Sequence, residues 1–166
     1  MRGRQSVMLE PEDLIRGGEG ERLAEARRTA GRDVGELAAL LGVSYEAYRD
    51  VEWFDDEIVG VLSFAQLLKV CHVLGIEPRS FFDAPARLGR VTFEELAARL
   101  RRLAPEEDAD LSRLEDEVGW ELRRQLAEPE TFAELPAIAL ADIGAPLGLD
   151  WRAFLPDPRG PGEPTS

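Results

Sequence analysis

Apolar residues recur three and four positions apart in consecutive blocks between Glu21 and Phe82, the spacing that lines one face of a helix. The blocks read ERLAEARRTA, DVGELAALLGVS, YEAYRDVEW and SFAQLLKVCHVLG. Gly31, Gly42 and Gly75 stand where helices should stop, because glycine accepts the left-handed backbone of a C-terminal cap. This pattern predicts five short helices over 21–82, with Leu23, Leu37, Leu40, Val43, Val51, Leu67, Leu68, Cys71 and Leu74 as their core. Further on, Leu111, Leu114, Val118, Leu122 and Leu126 form a second stripe at the same spacing, which predicts one longer helix. The opposite face of that stripe carries Glu115, Asp116, Glu117, Glu121, Arg123 and Arg124 and reads as solvated. No pair of alternating segments suggests a β-ladder, so the expected class is all-α.

The chain divides into related halves. Ser63-Phe64-Ala65-Gln66-Leu67 matches Thr131-Phe132-Ala133-Glu134-Leu135, each spelling a capping box in which a hydroxyl and an amide or acid satisfy two end N–H groups. Upstream, Glu36–Leu41 echoes Glu95–Leu100. Downstream, Leu74–Phe82 echoes Leu147–Leu155. Three echoes in one order point to a degenerate tandem duplication. Pro136 should delay or kink the helix that follows Thr131. The expected organisation is an arm over 1–17, a first domain over 18–83, a linker over 84–91, a diverged helical repeat over 92–155 and a frayed tail over 156–166.

Composition narrows the function. A chain of 166 residues with 44% apolar content can bury a core. No run of about 18 apolar residues predicts a membrane span, and the first residues lack the apolar segment of a secretory signal. The lone Cys71 excludes an internal disulfide and fits a reducing cytosol, so a cytoplasmic protein is expected. Net charge is −13, from 33 acids and 20 bases. Such a field repels phosphate at long range, though a local basic patch can overcome it. Cys71 and His72 are neighbours and point about 100° apart on a helix, so they do not clamp one metal. The Gly17-Gly18-Glu19-Gly20 run follows no strand and lacks a lysine, so it is no phosphate loop. No catalytic motif is present, and neither an enzyme, a metal site nor a cofactor is expected.

The first half resembles the Cro/phage-repressor family of helix-turn-helix regulators, also called the xenobiotic-response-element family. The matching positions are Leu23 and Arg27 in the first helix and Leu37-Ala38 in the second. Gly42-Val43-Ser44 forms the turn, with Ser44 as N-cap of the third helix, and Glu52 closes that helix. The resemblance implies a lambda-repressor-like fold, a structural pair between Arg27 and Glu52, and a third helix that enters the major groove. It places Tyr45, Glu46, Ala47, Arg49 and Asp50 on the DNA-reading face, with Arg22, Arg28 and Arg32 available for phosphate.

Departures from the family pattern gather on that face. Val34 stands where the family places a phosphate-touching glutamine, and Gly35 weakens the start of the second helix. Arg49 could donate to guanine and Glu46 accept from cytosine, yet carboxylates flank the only arginine. Where the family places basic residues after the third helix, this chain has Trp53, Phe54, Asp55, Asp56 and Glu57. Two function classes stay open. One is a transcriptional regulator with weakened or partner-assisted DNA binding. The alternative is a helix-turn-helix module that meets a basic protein partner through Trp53, Phe54 and the acidic loop. Whether the chain pairs into a homodimer also stays open.

Overall fold

The computed structural model describes residues 18–105 and 108–158. The expected arm and the end of the expected tail lie outside these residues. The described chain is all-helical, and none of its helices is long and apolar enough to cross a membrane. Its contacts cluster into two compact units that divide after Ile58.

The first unit holds α1 (Glu19–Thr29), α2 (Val34–Leu41) and α3 (Tyr45–Trp53). Each boundary has a local cause. The Asp33 carboxylate accepts from the Glu36 N–H at 2.8 Å, and Ser44 Oγ accepts from the Ala47 N–H at 3.1 Å. Caps of this kind contribute about 1 kcal/mol each. Gly31 and Gly42 end α1 and α2 with φ of 66° and 69°. Leu23, Leu37, Leu41, Tyr48 and Val51 are buried between the three helices. Leu40 and Val43 depart from the expected core: Leu40 is 38% exposed and Val43 is half-buried. The buried face of α2 is centred on Leu37, Ala38 and Leu41, and Leu40 projects about 100° from that centre.

A short helix, α4 (Glu57–Gly60), crosses the division. The second unit then contains α5 (Phe64–Leu74), α6 (Pro78–Phe81), α7 (Phe93–Leu103), α8 (Ala109–Val118), α9 (Arg123–Ala127) and α10 (Ala137–Gly144). Short 3₁₀ segments at Pro129–Glu134, Ala145–Leu147 and Trp151–Phe154 complete it. Ser63 and Gln66 form the expected capping box of α5, and Gly75 ends that helix at φ 67°. Four phenylalanines meet in the core. The Phe93 ring lies 5.5 Å from Phe64, 5.7 Å from Phe132 and 5.5 Å from Phe154. The 84–91 segment, expected as a linker, lies within this unit, where the Val91 N–H donates to the Ala153 carbonyl. Leu67, Cys71 and Leu74 are buried as expected, and Leu68 is half-buried.

Two expectations fail here. Residues 111–126 do not form one helix, because Gly119 turns left-handed at φ 77° and separates α8 from α9. Thr131 does not cap an α-helix. It sits inside a 3₁₀ segment, and its hydroxyl donates to the Glu128 carbonyl at 2.7 Å. The cause is Pro136, which has no N–H to offer the Phe132 carbonyl, so α10 starts one residue beyond it. The second capping box belongs to Thr92 and Glu95 at the start of α7.

Candidate interaction face on the third helix

The site begins with what holds α3 in place. The Arg27 guanidinium donates twice to the Glu52 carboxylate, at 2.6 and 3.0 Å, and once to the Arg32 carbonyl at 3.1 Å. One side chain thus ties α1 to α3 and to the turn after α1. The Glu52 side chain is 5% exposed and that of Arg27 is 16% exposed. The Glu52 hydrogen bond raises the Arg27 pKa above its ordinary value, against the opposing effect of burial. Beneath this pair lies Tyr48, fully buried. Burial first, and the Glu52 charge second, push its phenol far above the usual range and keep it neutral.

The sequence reading missed a second brace. The Asp55 carboxylate accepts from the Gly20 N–H at 3.2 Å, so an acid assigned to the exposed loop caps the start of α1. The approach is close. A Cβ on Gly20 would come within 2.5 Å of the Glu52 carbonyl oxygen, and one on Gly18 within 2.2 Å of the Asp55 carboxylate. The glycine run before α1 therefore admits the 52–55 segment. The signal was present in the sequence as two glycines flanking Glu19, a good helix former.

With α3 fixed, its outer face is defined. Tyr45, Arg49 and Trp53 follow one another at intervals of four and share one stripe. Tyr45 is 52% exposed, Trp53 68% and Phe54 52%. Arg49 lies 4.9 Å over the Trp53 ring and 3.7 Å from the Asp50 carboxylate, so its charge is shared between an aromatic face and an acid. Glu46 and Asp56 are exposed, while Ala47, Asp50 and Glu57 are half-buried.

The arginines named for phosphate contact are placed as follows. Arg28 pairs with Glu21 at 3.0 Å, and Arg32 approaches Glu36 at 3.9 Å. Arg22 is half-buried on α1. Residues 18–58 carry eleven carboxylates against five arginines, so the local field has the sign of the whole chain. Elsewhere, Cys71 is fully buried, and burial pushes its thiol up to about 12. His72 beside it is exposed, so the two do not share an environment.

Comparison of the chain with family models, curated proteins and solved structures gives no match. The reading of this face rests on its own geometry.

Proposed function

We propose that residues 19–82 form a helix-turn-helix domain of the Cro/phage-repressor type that acts in transcriptional regulation by meeting a basic protein segment rather than by gripping DNA. The observation that carries this reading is the composition of the α3 face. Three aromatic side chains are more than half exposed among carboxylates, while Arg28, Arg32 and Arg49 each already face an acid of the same chain. Exposed aromatic patches favour protein contacts, because burying them on association releases water. DNA affinity depends mainly on bases that neutralise phosphate. Support for the helix-turn-helix reading comes from the Arg27–Glu52 pair, the left-handed Gly42 and the Ser44 cap at the start of α3.

A duplex-binding titration of the full chain across a salt series tests the proposal. Binding weaker than about 1 µM with a shallow slope of log K on log salt is expected, since few counterions are released. Asp56→Asn with Glu57→Gln should strengthen that binding about threefold by removing two like charges. Asp55 is left intact because it caps α1. Nanomolar duplex binding with a steep salt slope would refute the proposal and restore the DNA-reading role to α3.

A further inference from the structure

The same local geometry occurs twice, 73 or 74 positions apart. Ser63 precedes α5 at φ −61°, ψ 156°, and Pro136 precedes α10 at φ −69°, ψ 158°. Gly75 is left-handed at φ 67°, ψ 28°, and Gly148 at φ 64°, ψ 25°. Glu77 accepts from the Arg79 N–H at 3.0 Å, and Asp150 accepts from the Arg152 N–H at 2.9 Å. Each acid opens a four-residue turn, Pro78–Phe81 and Trp151–Phe154. All these pairs differ by 73 in residue number.

The earlier elements repeat as well, with α7 opposite α1. The expected echoes of Glu36–Leu41 in Glu95–Leu100 and of Ser63 in Thr131 are therefore out of register, and only that of Leu74–Phe82 in Leu147–Leu155 holds. α1 and α7 are both 11 residues long and start 74 positions apart, which sets the buried Leu23 opposite the buried Ala97. The clamp from first to third helix recurs. Arg27 reaches Glu52, and Arg101 reaches the Leu126 carbonyl, each across 25 positions and each 74 from its counterpart. Between them, Gly42 and Gly119 both end a helix left-handed, 77 apart. α9 has five residues where α3 has nine, so the offset falls from 78 at their starts to 74 at their ends. Composition alone repeats letters. Cap angles alone recur at other helices, as at Ser44, Thr92, Gly31 and Gly42, so it is the constant spacing of 73 residues, in order, that marks the repeat.

We infer that residues 92–155 are a second copy of residues 19–82, and that this copy is the built-in partner of the first copy's last two helices. Equivalent points meet. Ser63 and Pro136 pair across an antiparallel bridge, and the Phe64 N–H donates to the Leu135 carbonyl at 2.7 Å. At the far end, Phe82 and Trp151 stack edge-on at 5.1 Å, while the Arg152 guanidinium donates to the carbonyls of Phe82 and Asp83. These contacts engage both ends of the 63–83 segment from within the chain. The copies differ in their third helices. α9 lacks a side-chain cap, and its Arg123 and Arg124 are tied to Asp108 and Glu134. All the exposed aromatic side chains of the described residues, Tyr45, Trp53 and Phe54, belong to the first copy. The chain therefore works as a monomer with one third-helix face. None of this depends on what α3 binds.

A register graft in the full chain tests it. Replacing residues 147–152 by the sequence of 74–79 requires Leu149→Ile, Asp150→Glu and Trp151→Pro. Proline suits the first position of the turn, and Asp150 already has the extended backbone that precedes a proline. Cooperative unfolding with a midpoint within about 5 °C of the parent is expected. The same six residues moved back by one (Pro146→Leu, Leu147→Gly, Gly148→Ile, Leu149→Glu, Asp150→Pro, Trp151→Arg) put isoleucine at a φ of +64°. That variant should lose at least about 10 °C. Equal damage from both grafts would overturn the duplication. Sedimentation equilibrium of the parent should give the single-chain mass of 18.4 kDa. A two-chain mass would overturn the built-in partner.

Discussion

Breaking the Arg27–Glu52 pair should cost far more than breaking a surface ion pair, and the cost should depend on which partner is removed. The carboxylate receives two guanidinium hydrogen bonds, at 2.6 and 3.0 Å, and its side chain is 5% exposed, against 16% for Arg27. Removing one member of a buried pair costs about 3–5 kcal/mol, because the other charge stays desolvated without a partner. Glu52 is the more enclosed, so stranding it is worse. Arg27→Met should therefore cost about 4 kcal/mol and Glu52→Met about 3 kcal/mol. The double variant fills the site with apolar volume and should lie within about 2 kcal/mol of the parent, which makes the coupling favourable by several kcal/mol. Urea unfolding followed by far-UV circular dichroism at neutral pH measures all four proteins. Single-variant losses below about 1 kcal/mol would show a pair screened by water, as at an ordinary surface. A double variant as unstable as the sum of the singles would refute the coupling.

Three further outcomes follow from named contacts. Gly20→Ala should destabilise the first unit by about 1–3 kcal/mol in the same urea assay, since a Cβ there meets the Glu52 carbonyl oxygen at 2.5 Å and backbone cannot give way cheaply; an unchanged midpoint would contradict the close approach. Cys71 should resist alkylation at pH 8 until the chain unfolds, because it is fully buried with its thiol pushed up to about 12; labelling at the rate of a free thiol would refute this. The Asp150 carboxyl is held below its ordinary pKa by the hydrogen bond from Arg152. A group lowered on folding adds stability above its unfolded value, about 3.9, and loses it as pH falls through the folded one. Asp150→Asn should thus flatten the acid side of the stability profile below about pH 4, and a slope equal to the parent's would count against it.

Much of the architecture was legible because it depends on local chemistry. Gly31, Gly42 and Gly75 marked real helix ends, and Ser63 and Ser44 marked real starts, since a cap needs only its own neighbours. The failures needed distant partners or a choice between equal local patterns. Thr92-Phe93-Glu94-Glu95 carries the same capping grammar as Thr131-Phe132-Ala133-Glu134, and only Pro136 separates the true box from the false one. Leu40 has the letter of a core residue but the wrong azimuth, and one helix turn seen in isolation does not say which side will be covered. On the candidate face, Trp53, Phe54 and the acids beside them could be named from the sequence, while the exposure of the two rings came only with the packing of α3. The capping role of Asp55 could not, because its partner Gly20 is 35 residues away.

The Phe93 hub sets an order of events. Its ring waits for Phe64, Phe132 and Phe154, at sequence separations of 29, 39 and 61 residues. Closing the longest of these loops costs about 0.7 kcal/mol more than closing the shortest, and no neighbour along the chain offsets it in advance. The first unit closes its clamp across 25 residues. During synthesis both partners of that clamp are present while the second unit is still being made. The hub is complete only after Phe154 has left the ribosome, so Phe64 and Phe93, made first, wait longest for their last neighbour.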